Sequence, residues 1–189
     1  MKKILFAFLI FGGLSACNEE GKDSVEKADS ANDAKATETP AAARVDDATA
    51  EFLVKAADGG LAEVEAGKLG EQKATNQRVK AFAAMMVSDH TGANAEVKTL
   101  AGSRNITLPV SPSEENQKKA AKINEKTGKE FDKAFMDMMV DDHKKTIDLF
   151  EKAENNCKDE QVKTFIRNTL PKLKMHLNSA DSIYAIVKK

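Results

Sequence analysis

The residues best suited to chemistry are the three histidines of the 189-residue chain, His90, His143 and His176. Each falls within a run in which apolar residues recur every third or fourth position. Val79, Phe82, Met86, His90, Ala93, Val97 and Leu100 form one run, and Phe131, Phe135, Met139, His143, Ile147 and Phe150 a second. The third passes through Val162, Ile166, Thr169, Leu173, His176, Ala180, Ile183 and Val187. That period marks the core-facing stripe of an α-helix. A fourth polar residue, Glu63, lies on a similar face among Phe52, Ala56, Gly60 and Gly67. A carboxylate on a buried face is costly unless it is paired or ligates a cation. Imidazole and carboxylate converging from several helices is how helical proteins build metal sites.

Asp89 and Asp142 directly precede His90 and His143, which makes them candidate ligands or holders of an imidazole. Met86 and Met139 lie four residues before a histidine and Met175 adjoins His176. Thioether with imidazole favours copper, while carboxylate with imidazole favours iron, manganese or zinc. The plainer reading is that the methionines pack a core and the histidines form a buried hydrogen-bond network held by the aspartates. Nothing resembles a Ser-His-Asp order, a phosphate loop or a zinc-finger spacing, so no catalytic residue is assigned.

A short internal echo points to two similar positions. Met85-Met86-Val87-Ser88-Asp89-His90 parallels Met138-Met139-Val140-Asp141-Asp142-His143. Helical periodicity accounts for the matched apolar positions but not for Asp-His at the same offset.

The elements that must carry these residues are four long helices. The first runs from about Ala48 to Lys73, where Gly59 and Gly60 would let a neighbour approach closely, and the second from Arg78 to Ala101 after a turn at Ala74 to Gln77. A loop over Gly102 to Pro109 leads to a short polar helix ending near Lys126. Ser111-Pro112-Ser113-Glu114 reads as its capping box, with proline at the first helical position. Thr127-Gly128-Lys129-Glu130 reads as a second capping box, opening a helix to about Glu154. The last helix begins near Asp159 and carries Pro171, which removes a backbone donor and predicts a kink. Short turns within each pair and a long crossover between pairs predict an all-α four-helix bundle with a short extra helix in the crossover. Measured from the first turn, Glu63 and His90 are level. Measured from Cys157, His143 and His176 differ by more than one helical turn, about 7 Å.

The chain begins with Lys2 and Lys3, an apolar run from Ile4 to Phe11, and Leu14-Ser15-Ala16-Cys17. The run is too short to cross a bilayer and reads as a signal peptide over residues 1–16. The quartet looks like a lipobox, with Cys17 lipidated and the mature chain anchored by several acyl chains. The expected location is the cell envelope, most simply the outer membrane facing the periplasm. Residues 17–47 contain Val25 and Val45 as their only larger aliphatics and are expected to form a disordered tether, followed by one domain over 48–189. Removing the signal takes two lysines away and the formal charge from −1 to −3. With no Trp and a single Tyr, that charge argues against nucleic acid as a partner. Cys157 has no intramolecular disulfide partner once Cys17 is acylated. In the polar turn Asn155 to Asp159 it reads as a solvent-exposed thiol.

An ordered set of motifs carries a resemblance: Gly59-Gly60-Leu61-Ala62-Glu63-Val64, then Val79 to His90, then Phe131-Asp132, Asp142-His143, and Thr169-Leu170-Pro171-Lys172-Leu173-Lys174-Met175-His176-Leu177. It resembles the domain of unknown function 4142 over nearly all of Ala48 to Val187. The resemblance implies a ferritin-like fold and a periplasmic or outer-membrane setting, brings no established activity, and places Glu63, His90, His143 and His176 at the family's recurring polar positions. The paired Glu-x-x-His motifs of di-iron carboxylate sites are not present. Three functions follow: a non-enzymatic envelope lipoprotein that packs against a protein partner, a bundle that binds copper, iron or zinc, and a metal-dependent redox enzyme.

Overall fold

A computed structural model describes residues 22–40 and 44–189. The signal segment and Cys17 lie outside the described residues. Among those described there are six helices and no strand: α1 Ser24–Glu38, α2 Asp47–Lys73, α3 Gln77–Gly102, α4 Glu114–Asn124, α5 Gly128–Asn156 and α6 Glu160–Val187. The four long helices start and stop within two residues of the positions read from periodicity. Side chains of Asp46, Asn76 and Asp159 close three of the N-termini by accepting from first-turn amides. No helix among the described residues is long and apolar enough to cross a membrane.

Short turns make α2 with α3, and α5 with α6, neighbouring pairs. Contacts of α2 with α5 and of α3 with α6 join the pairs. Glycine lets α3 lie close to α2: a Cβ on Gly70 would come within 2.7 Å of the Ala83 Cβ, and one on Gly67 within 3.0 Å of the Ala83 carbonyl. Gly60 makes room for the Asn94 side chain, but Gly59 faces open space and does not share this role.

Several local expectations are corrected. The cap of α4 is Ser113, not Ser111, because the Asp58 carboxylate accepts from the Ser113 backbone amide, the Ser113 hydroxyl and the Asn116 side-chain amide, fixing that turn against α2. Thr127 precedes α5 but makes no side-chain cap. The stretch expected as a disordered tether contains α1. Asp23 accepts from the amides of Val25 and Glu26 to start it. Asn32 exchanges two hydrogen bonds, 2.9 and 2.7 Å, with the Thr107 backbone, and the Lys35 ammonium donates to the Asn105 carbonyl. Apolar composition does not register polar anchors that reach 75 residues along the chain. Cys157 is buried, not exposed: its thiol faces the Ala48 carbonyl, and burial pushes its pKa up. The native protein should therefore resist iodoacetamide at neutral pH and react stoichiometrically in denaturant, as mass spectrometry would show. Labelling of the native protein as fast as of free cysteine would contradict this burial.

Arg104, at the end of α3, grips the α6 cap through a forked pair, Nε to Asp159 Oδ2 at 2.8 Å and Nη2 to Oδ1 at 2.6 Å. The hydrogen bond from Arg104 holds the Asp159 carboxyl below its ordinary 3.8 against the opposing effect of burial, with the Val162 and Gln161 amides assisting. A depressed carboxyl pKa stabilises the fold above the unfolded value and loses that contribution as pH falls through the folded one. Arg104→Met should cost about 2 kcal/mol at neutral pH. In denaturation at a series of pH values, the deficit should shrink once the pH drops below 3.8.

The core is split in two. Phe52, Leu53, Val97, Phe150, Val162, Ile166 and Leu173 form one apolar cluster. Val79, Phe82, Met86, Phe131, Phe135, Met139 and Ala180 form the other. Along α2, α3, α5 and α6 alike, one polar residue separates the two sets: Glu63, His90, His143 and His176 respectively.

Candidate metal centre

All four are buried, with His143 and His176 no more than 1% exposed. The imidazole centroids form a near-equilateral triangle: His90 to His143 5.7 Å, His90 to His176 5.5 Å and His143 to His176 5.4 Å. The apparent mismatch between His143 and His176 closes for a geometric reason. Helical side chains lean toward the N-terminus of their helix. On α5 that lean carries His143 away from the α5–α6 turn, and on α6 it carries His176 toward that turn.

Each imidazole is oriented by a partner on one nitrogen. His143 Nδ1 donates to the Met139 carbonyl at 2.8 Å. A carbonyl only accepts, so the proton is on Nδ1 and the lone pair on Nε2. His90 Nδ1 meets Glu63 Oε2 at 2.9 Å, and His176 Nε2 meets Asp89 Oδ2 at 2.9 Å. Burial pushes the Glu63 carboxyl up, but the neighbouring histidines, His90 foremost, outweigh it and leave the pKa lowered. Burial likewise raises Asp89, and the His176 hydrogen bond with Lys172 beside it brings the carboxyl below its usual range. Both carboxylates are thus acceptors. Burial draws His90 down, yet Glu63 more than compensates and raises it. His176 is lowered by burial and by the other two histidines, against the pull of Asp89.

The remaining nitrogens, His90 Nε2, His143 Nε2 and His176 Nδ1, have no hydrogen-bond partner; Glu63 Oε1 makes no hydrogen bond either but lies 3.4 Å from His143 Nδ1. One atom from each histidine lies within 4.8 Å of the others. Buried imidazole nitrogens without partners, on rings packed this closely, are unfavourable, and a cation between the rings would supply the missing partner. The centre of such a triangle is at most about 2.8 Å from each nitrogen, so an inward shift of roughly 0.7 Å per imidazole gives the ~2.1 Å typical of a metal–imidazole bond. The outward-facing partners Glu63, Asp89 and the Met139 carbonyl are of the kind that fix tautomer and ring direction in metal sites.

The two aspartates diverge. Asp89 holds the histidine of a different helix, His176 on α6, not its neighbour His90. Asp142 pairs with Lys119 of α4 at 3.5 Å; burial and the nearby Glu63 raise its pKa against the pull of Lys119. The methionines part as well: Met86 and Met139 pack in the apolar cluster and Met175 is 45% exposed. Met139 serves through its carbonyl. Sequence reasoning gave no role to Asp132, a buried carboxylate at the start of α5 that accepts from Thr75 and Asn76. Its sequence signal was a lone acid beside Phe131, at the edge of an apolar stripe.

The family described as "Domain of unknown function (DUF4142)" matches residues 34–183. The chain belongs to this family. Its match begins inside α1, ahead of the expected domain start at residue 48, and takes in all four residues of the polar layer. No curated protein and no solved structure matches the chain.

Proposed function

We propose that this protein is a cell-envelope lipoprotein whose helical domain, a ferritin-like four-helix bundle, binds one divalent transition-metal ion between His90, His143 and His176. Glu63 either completes the ligand set through Oε1 or orients His90 from outside it. The observation that supports this reading is a set of three buried histidines, each offering one nitrogen within 4.8 Å of the others and each left with one nitrogen that has no hydrogen-bond partner. Three imidazole nitrogens, with or without a carboxylate oxygen, make a set suited to zinc, iron(II) or copper(II). A hydrogen-bond network alone would pair these nitrogens with donors. The lipobox Leu14-Ser15-Ala16-Cys17 supports attachment to a membrane through Cys17.

The test is metal content after dialysis of the purified protein against zinc, copper and iron in turn, beside a His90→Gln/His143→Gln double variant. One equivalent in the wild type and none in the variant is expected. Equal content in both, or none in either, overturns the metal reading and turns attention to a protein partner in the envelope.

A further inference from the structure

Two consecutive residues pin the start of α1 to the segment between α3 and α4. The Asp23 carboxylate, besides capping α1, accepts from the Glu114 amide at 3.3 Å, and the Ser24 hydroxyl accepts from the amides of Val110 at 2.9 Å and Ser111 at 3.2 Å. With Asn32 on Thr107 and Lys35 on Asn105, α1 is tied along its length to residues 105–114. It also buries Ala28 and packs on α2. From Cys17 to Asp23 the chain advances only six residues. Even fully extended, such a leash reaches at most about 22 Å.

That leash is short against the thickness of the domain. α1 packs on α2, while α6 packs on α3 and α5, the two helices that flank α2, so α6 stands diagonally behind α2 as seen from α1. Neighbouring helix axes lie about 8–10 Å apart and side chains extend about 5 Å beyond an axis, so the outer side of α6 is roughly 25–30 Å from the α1 axis. The chain would also have to pass around the bundle and not through it. With Cys17 acylated, the outer side of α6 cannot meet the lipid while α1 stays docked.

The side that can meet the lipid carries a fitting residue. Val110 is 92% exposed, against 45% for Met175 and 42% for Ile186 on α6. Pro109 and Pro112 are buried on either side of it, and their fixed φ holds the turn, so the Val110 side chain projects from a stiff tip. A lone exposed valine is ordinary on a protein surface. This one stands at the root of the leash, hydrogen-bonded through its own amide to Ser24. We infer that the domain lies against the bilayer that holds its acyl chains, with the α1 side turned to the lipid and Val110 in the interfacial layer. The inference rests on the lipidation of Cys17 proposed above and is independent of the metal reading.

The experiment attaches a small thiol-reactive fluorophore to Val110→Cys or, on the outward side of α6, to Ile186→Cys, in the full-length protein produced with its signal segment and purified in detergent. Cys157 is buried and stays unlabelled. Mass spectrometry first establishes the acyl chains on Cys17. The proteins are then reconstituted into vesicles of phosphatidylcholine and phosphatidylglycerol that carry nitroxide quenchers at the headgroup. The expected result is several-fold stronger quenching at position 110 than at 186. Inserting a flexible Gly/Ser segment of about 20 residues between Cys17 and Asp23 should erase that difference. Acylated protein quenched equally at the two positions, or more at 186, would overturn the orientation and leave the lipoprotein reading standing. A difference unchanged by the insertion would overturn the short leash as its cause. Protein without acyl chains on Cys17 would sink the lipoprotein reading itself, and the inference with it.

Discussion

Saturating the site with its preferred metal should raise Tm by on the order of 10 °C, and His143→Gln should abolish the rise. An ion at a thousand times its Kd that binds only the folded protein stabilises it by about 4 kcal/mol, and a domain of this size shifts by roughly 2–4 °C per kcal/mol. His143 is the sharpest probe because it is fully buried and its Nε2 has no hydrogen-bond partner. Without metal the variant should melt a few degrees below the metal-free wild type, because it loses the Nδ1 bond to the Met139 carbonyl. Asp89→Asn acts one step outward, by loosening the grip on His176, and should weaken metal affinity by about 10- to 100-fold without eliminating it. Differential scanning calorimetry with and without metal, on wild type and both variants, reads all of this. A purely structural network predicts no dependence of Tm on metal in any of the three proteins.

Asp132→Ala should lower unfolding free energy by roughly 2–3 kcal/mol, a large loss for one polar side chain. Its carboxylate is 2% exposed and accepts from the Thr75 amide at 3.0 Å, the Thr75 hydroxyl at 2.6 Å and the Asn76 amide at 2.9 Å. These donors belong to the α2–α3 turn, whereas Asp132 belongs to α5, so one carboxylate ties the two helix pairs together. Truncation leaves three donors of a part-exposed turn without their protein acceptor. Urea denaturation with an unchanged m-value and a lower midpoint would register the loss. Metal affinity should stay within a few-fold of wild type, because this turn lies beyond the apolar cluster from the histidine layer. A variant as stable as wild type would show that water replaces the carboxylate. Asp132→Ala and His143→Gln thus separate holding the fold from holding the ion.

Much of this organisation was legible in the chain. Helix identity and limits followed from the spacing of Val79, Phe82 and Met86, and of Phe131, Phe135 and Met139, since a core stripe repeats at the helical period wherever one face is buried. The placement of Glu63, His90, His143 and His176 on those stripes was legible for the same reason. Other features were hidden because they depend on distant partners. Residues 24–38 are poor in apolar side chains, and their helix is anchored by Asn32 on Thr107 and Lys35 on Asn105. Cys157 sits among polar neighbours in sequence yet is covered by the start of α2.

The sequence by itself determined which faces of which helices are buried and placed Glu63, His90, His143 and His176 on those faces, because burial pattern and residue type are local properties. Only the tertiary structure decided what those four residues do to one another. The lean of side chains toward each helix N-terminus brought His143 level with His176. The packing of α3 against α6 gave His176 to Asp89, and α4 gave Lys119 to Asp142. One nitrogen of each of the three imidazoles thereby came within 4.8 Å of the others. A one-dimensional pattern records that a residue faces inward; it carries neither the depth nor the hydrogen-bond partner that determines which nitrogen is left to bind.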